Sequence, residues 1–110
     1  MLDATLTVEP GEAGLALRLT VENTGDGPVS LSFSDGQRAE FVVERPDGGE
    51  VWRWSEGRSF TMALGNEELR PGETREFEAT WEGAESGEYV VRGWLVAREA
   101  DAEAEMRVTV

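Results

Sequence analysis

The sequence predicts an all-β fold, an antiparallel sandwich of about eight or nine short strands, on three observations. Apolar and polar residues alternate at a period of two along most of the chain, as in strands with one buried face. Clusters of Gly, Pro and Asp interrupt the alternation at short intervals, and each supplies a turn. The chain has 110 residues, enough for one hydrophobic core and too few for two, so 1–110 is expected to be a single sandwich domain. A small closed barrel is the alternative architecture.

The elements follow in order. Leu2, Ala4, Leu6 and Val8 take one phase of the first strand, with Asp3, Thr5, Thr7 and Glu9 on the other. In "LALRLTVEN", Leu15, Leu17, Leu19 and Val21 point inward against Arg18, Thr20 and Glu22. Val29, Leu31 and Phe33 mark the next strand, Phe41 and Val43 another, and Phe60, Met62 and Leu64 a later one. "TREFEATWE" sets Phe77, Ala79 and Trp81 on one face and Glu76, Glu78, Thr80 and Glu82 on the other. "YVVRGWLVA" is apolar in both phases, and the last strand offers Met106, Val108 and Val110. "VAREADAEAEMR" contains strong helix formers, but Ala97, Ala100, Ala102, Ala104 and Met106 recur mostly at two, so it reads as a hairpin with a polar, mobile tip. The connections "EPGE", "TGDGP", "SDGQ", "RPDGGE" and "RPGE" combine the fixed φ of Pro with the positive φ that Gly tolerates. Strands and turns at this spacing point to a sandwich of immunoglobulin-like type.

Composition narrows the chemistry. The 23 acidic residues face 10 basic ones, every one of them Arg, and the net charge of −13 repels nucleic-acid phosphates and anionic lipid headgroups. Neither nucleic acid nor membrane is expected as a partner. Salt screens such self-repulsion, so Glu enrichment without Lys suits a halophilic, salt-rich cytoplasm, although a preference for Arg codons gives the same pattern. The start "MLDATLTVEP" lacks a basic segment and an apolar run, so export has no support and the cytoplasm is the expected location. Cys and His are both absent, which removes disulfides, thiol nucleophiles, imidazole metal ligands and any side chain that titrates near neutrality unperturbed. The chain is therefore expected not to be an enzyme. The carboxylates fall mainly on outward phases or in turns, where Glu67 and Glu68 read as a solvated loop. The turns at Asp35, Asp47 and Glu50 lack the spaced ladder of a calcium loop, and no glycine-rich loop opens a helix, so no metal or other cofactor is expected.

"VWRWSEG" is the segment with most to decide. In a strand Trp52 and Trp54 share a face and Arg53 takes the opposite one. Both rings are expected in the core with Arg53 at the surface, and the alternative is an exposed Trp-Arg-Trp ridge of hot-spot composition. For Trp94, either Tyr89, Val91 and Leu95 face the core while Val90, Trp94 and Val96 form an outer apolar patch, or the reverse.

The ordered pieces "LRLTVENTGDGPVSLSFSDGQRAEFVV", "GGEVWRWSEGRSFTMAL", "LRPGETREFEATW" and "GEYVVRGWL" resemble the BsuPI family of intracellular proteinase inhibitors over the run from about Leu15 to Ala97. That resemblance implies a small cytoplasmic β-sandwich that inhibits intracellular subtilisin-like serine proteinases. Family members commonly carry an aromatic residue and an Asp after the Ser-Gly-Gln turn, where this chain has Ala39 and Glu40, and "SDGQ" matches with one inserted acid. A substrate-like inhibitor presents a rigid loop to the proteinase cleft. The candidate contacts are Ser34, Asp35, Gly36, Gln37 and Arg38 of "SDGQRA", Ser55, Glu56, Gly57 and Arg58 of "SEGRSF", and Arg53 and Trp94 beside them. A monomer is expected. Two other functions compete: a non-inhibitory interaction module using the Trp94 patch or an open sheet edge, and a carbohydrate-binding sandwich with Trp52, Trp54 or Trp94 stacked on sugar rings.

Overall fold

A computed structural model describes residues 1–98 and 101–110. Nine strands and no helix occur among them, so no described helix is long and apolar enough to cross a membrane. The strands are β1 (Leu2–Gly11), β2 (Gly14–Asn23), β3 (Val29–Phe33), β4 (Ala39–Glu44), β5 (Glu50–Arg53), β6 (Gly65–Leu69), β7 (Thr74–Trp81), β8 (Glu88–Leu95) and β9 (Glu103–Thr109). They form three antiparallel sheets with orders β1-β2-β7, β3-β6 and β5-β4-β8-β9. The fold is an all-β sandwich, and the closed barrel does not form.

The alternation explains the layers. Leu6, Leu17, Leu19, Val21, Ala79 and Trp81 project from β1, β2 and β7, and meet Phe41, Val43, Tyr89, Val91 and Leu95 from the facing sheet in one buried cluster. Leu31 and Phe33 of β3 and Leu69 of β6 complete it. Full burial of each such side chain contributes roughly 1.5–3 kcal/mol of transfer free energy, which must carry a chain without disulfides. Trp81 meets Tyr89 edge to face at 4.9 Å, and the Tyr89 hydroxyl donates to the Glu85 carbonyl at 2.9 Å, so the ring's polar end is satisfied where it leaves the core.

One buried polar side chain holds two turns. Asn23 is fully buried, and its Nδ2 donates to the carbonyls of Gly27 and Leu69, both at 2.9 Å. Its Oδ1 accepts from the Gly25 amide at 2.9 Å, and its backbone carbonyl accepts from the Gly72 amide at 2.8 Å. "NTGDGP" and "RPGE" are therefore one unit, linked by a single amide that reaches across 46 residues of sequence.

Three expectations change on the fold. The strand anticipated at Phe60, Met62 and Leu64 is absent, and β6 begins only at Gly65. Period two persists in that segment, but Met62 and Leu64 are 89% and 74% exposed, so the alternation serves no buried face. Glu67 and Glu68 lie within β6 and not in a loop, and Glu67 pairs with Arg38 at 2.8 Å and Arg75 at 3.6 Å. At the last strand Val108 packs against the core as expected, with Ala104 beside it, while Met106 and, just past β9, Val110 are exposed at the edge of the sheet. The β8–β9 hairpin forms as expected, and the Ala100 assigned to its mobile tip lies outside the described residues.

Candidate functional site

The two sequence-selected loops lie side by side at one end of the sandwich. The first follows β3: the Asp35 carboxylate accepts from the Gln37 amide at 2.8 Å, an Asx turn that fixes the bend locally. The second follows β5: the Glu56 amide donates to the Arg53 carbonyl and the Arg58 amide to the Ser55 carbonyl, each at 3.1 Å, and Gly57 takes a φ of 80° between them. That left-handed conformation suits glycine because it has no Cβ. The Gly36 amide donates to the Thr61 carbonyl at 2.9 Å and ties the first loop to the chain just past the second. A Cβ on Gly36 would stand 2.7 Å from the Thr61 hydroxyl oxygen, so any larger residue there would force Thr61 to shift.

Beneath both loops sits a buried carboxylate. Glu40 is 5% exposed, and its Oε1 accepts from its neighbour Phe41's amide at 3.0 Å and from the Ser55 amide at 3.1 Å. Its Oε2 accepts from the Gln37 side chain at 3.4 Å and lies 3.5 Å from Arg53 Nη1. One acid thus contacts the first loop through Gln37, the second through Ser55, and the edge strand through Arg53. Arg53 also binds Glu50 at 2.8 Å. This hydrogen bond, opposed by partial desolvation, holds the Arg53 pKa above its ordinary value, so the guanidinium stays charged.

The remaining candidates divide by exposure. Ser34, Glu56, Gly57 and Arg58 are exposed, whereas Asp35, Gly36, Gln37, Arg38, Arg53, Ser55 and Trp94 are half-buried. Arg38 is committed internally: it lies 4.3 Å from the Phe33 ring centroid, donates to the Asp35 carbonyl at 2.8 Å and pairs with Glu67. Arg58 stacks over Trp54 at 4.5 Å and donates to the Trp54 carbonyl at 2.9 Å. The structure brings the two loops and Arg53 together, while Trp94 sits on the outer face of β8 beneath Arg53, whose guanidinium carbon is 5.9 Å from its ring.

Trp52 and Trp54 are neither core residues nor a free ridge. Both are half-buried against the core margin, with Trp54 edge to face on Phe41 at 6.5 Å and tilted on Phe60 at 5.6 Å. Core burial fails because β5 is an edge strand and the facing edge, β7, does not pair with it. Between the two edges lies an open groove of about 650 Å³ lined by Trp52, Trp54, Arg58, Glu78, Thr80 and Glu82, among others. Around Trp94, Tyr89, Val91 and Leu95 do face the core, and Val96, expected on the outer side, packs against the core margin, while Val90 and Trp94 do face outward. The outer surface is not a free apolar patch, since Arg92 stands between them and pairs with Glu44 at 3.0 Å and Glu105 at 3.3 Å.

Sequence reasoning passed over Glu40 as a site residue. Its signal is the run "AEFVVE", a strand whose residues 39–43 are buried on both faces, where an acid must find partners. Among the described residues, no cluster of three or more potential ligands could hold a metal ion.

A family model described as BsuPI, intracellular proteinase inhibitor, matches residues 2–100 of the chain. No curated protein matches it significantly. Among solved structures, a Bacteroides uniformis beta-glucuronidase is similar with a TM-score of 0.59 at 16% identity over 98% of this chain. A calcium-binding mutant of B. uniformis beta-glucuronidase 2 gives 0.53 at 16% identity over 96%. The chain spans only 14% and 13% of the lengths of those two proteins, and at such identity the likeness shows the fold alone.

Proposed function

Since this chain belongs to the BsuPI family of intracellular proteinase inhibitors, we propose that it inhibits a subtilisin-like serine proteinase of the cytoplasm. It acts as a monomer and docks through the end of the sandwich that carries the 34–39 and 55–60 loops. The observation that carries this reading is the Glu40 carboxylate, buried and bonded to both loops. Loops fixed before encounter lose little conformational entropy on binding, which is what a tight inhibitor requires.

The test is inhibition of a purified intracellular subtilisin-like proteinase from the same source, in molar and in low salt. Stoichiometric inhibition is expected. Arg58→Glu and Arg38→Glu should each raise the inhibition constant by about tenfold or more, equivalent to about 1.4 kcal/mol. Arg38→Glu acts through the scaffold, because Arg38 is bonded within its own loop. An unchanged constant for both variants, or a folded protein that leaves the proteinase unhindered, overturns the reading.

The groove between β5 and β7 favours a second reading, a non-inhibitory module that takes an extended partner segment along an unpaired edge. Trp52→Ala separates the two, since it should leave proteinase inhibition intact and abolish binding of such a partner.

A further inference from the structure

The segment between the second loop and β6 has an unusual standing in this fold. From Ser59 to Asn66 the chain reads "SFTMALGN", without a charge in a protein at −13. Residues 61–64 are all exposed, and Met62 is the most exposed large apolar residue among those described, at 89%, with Leu64 at 74%. Residues 58–64 belong to no strand. Yet the segment is held at three points: Phe60 lies against Trp54 at 5.6 Å, the Thr61 carbonyl accepts from the Gly36 amide at 2.9 Å, and Gly65 pairs with Phe33 at the start of β6. Apolar side chains are thus carried into water on a chain pinned at both ends, against the hydrophobic preference that fills the rest of the alternating sequence.

We infer that residues 60–64 are the segment that enters the proteinase cleft, with the Met62 side chain filling an apolar primary specificity pocket. This rests on the inhibitor reading above and names the contact within it. An endopeptidase cleft takes its substrate extended, with the side chain before the cut in a pocket and main-chain hydrogen bonds on either side. Met62 is unbranched and adapts to a pocket's shape, and Ala63 after it is small enough to pass the catalytic groups. A neutral, apolar segment fits an apolar pocket. It offers nothing to the acidic pocket of a proteinase that cuts after Arg or Lys. Gly36 of the 34–38 loop and the Trp54 ring become braces for this segment, clipping Thr61 and Phe60 from two sides.

Subtilisin, whose cleft accepts apolar residues, serves as the probe. Met62→Asp should raise its inhibition constant by about a hundredfold or more, while Met62→Phe stays within about threefold of the parent. Urea unfolding of both variants should coincide with that of the parent, because the side chain makes little contact with the fold. Prolonged incubation should yield one slow cut at the Met62–Ala63 bond, water adding hydroxyl to the Met62 carbonyl carbon and hydrogen to the Ala63 nitrogen. Undiminished inhibition by Met62→Asp overturns the inference and leaves the inhibitor reading standing. Should the parent fail to inhibit, mass spectrometry of the products decides: a first cut at Met62–Ala63 that Met62→Asp abolishes supports docking of this segment without inhibition. A first cut elsewhere overturns it.

Discussion

Replacing Glu40 with Ala removes one acceptor from four donors and should loosen two loops at once. The Phe41 and Ser55 amides lose bonds of 3.0 and 3.1 Å, and the longer Gln37 contact of 3.4 Å goes with them. A hydrogen bond to a charged group contributes about 1.5–3 kcal/mol net, and stranding a buried donor adds its desolvation cost. Arg53 adds little, because its side chain is 37% exposed, it sits 3.5 Å away, and it keeps Glu50. Two good bonds, partly replaced by water once the loops relax, give a loss of about 3 kcal/mol in unfolding free energy. Glu40→Gln retains an acceptor oxygen for the amides and should lose only about 1 kcal/mol. Urea titration followed by tryptophan fluorescence reads both, with Trp54 reporting on the loop it begins. The inhibition constant should rise in the same order, Ala above Gln above parent. An Ala variant within about 0.5 kcal/mol of the parent, with an unchanged constant, would refute the idea that this carboxylate organises the end of the sandwich.

Asn23→Leu should cost about 2–4 kcal/mol in the same titration, because two carbonyls and the Gly25 amide lose their partner inside the protein. An exposed Asn elsewhere would show a few tenths at most. Glu73 accepts from the Arg70 amide at 2.8 Å and faces Arg75 at 3.4 Å, and these contacts hold its carboxyl below the usual carboxylate range. Its contribution is therefore present above the unfolded pKa of about 4.3 and is lost as the pH falls through the lower folded value, so the melting temperatures of parent and Glu73→Gln should converge on acidification. If the acidic surface reflects life in salt, the melting temperature of the parent should climb between about 0.05 and 1 M sodium chloride as the Debye length shrinks from above 10 Å to about 3 Å. A flat profile would argue against such adaptation.

The layers were legible because a period-two pattern fixes which residues share a face, and β1, β2, β7 and β8 obey it residue by residue. The same rule failed at Phe60 to Leu64, where alternation is present and no partner strand is. Pattern encodes which side chains agree in direction, whereas pairing depends on what the rest of the chain brings alongside. Trp52 and Trp54 illustrate a related limit: large rings imply burial, but only topology shows that they stand at an edge whose opposite edge is unpaired. The candidate loops were found through their turn chemistry. Glu40 was not, since an acid in a strand resembles any outward residue until both faces of β4 are known to be covered.

The unpaired edge of β7 has a consequence for handling the protein. Bare edges invite strands of other molecules, and this one is flanked by Glu76 and Glu82, both exposed, with Glu78 between them paired to Arg18 at 3.1 Å. Carboxylates so placed are sentries in the electrostatic sense, their like charge opposing the approach of a second copy before backbone groups can meet. Salt that relieves crowding of like charge within one molecule also shortens the reach of those sentries. If the melting temperature does climb with salt, the ionic strength that best holds the single chain together is also the one at which its copies are least prevented from joining edge to edge.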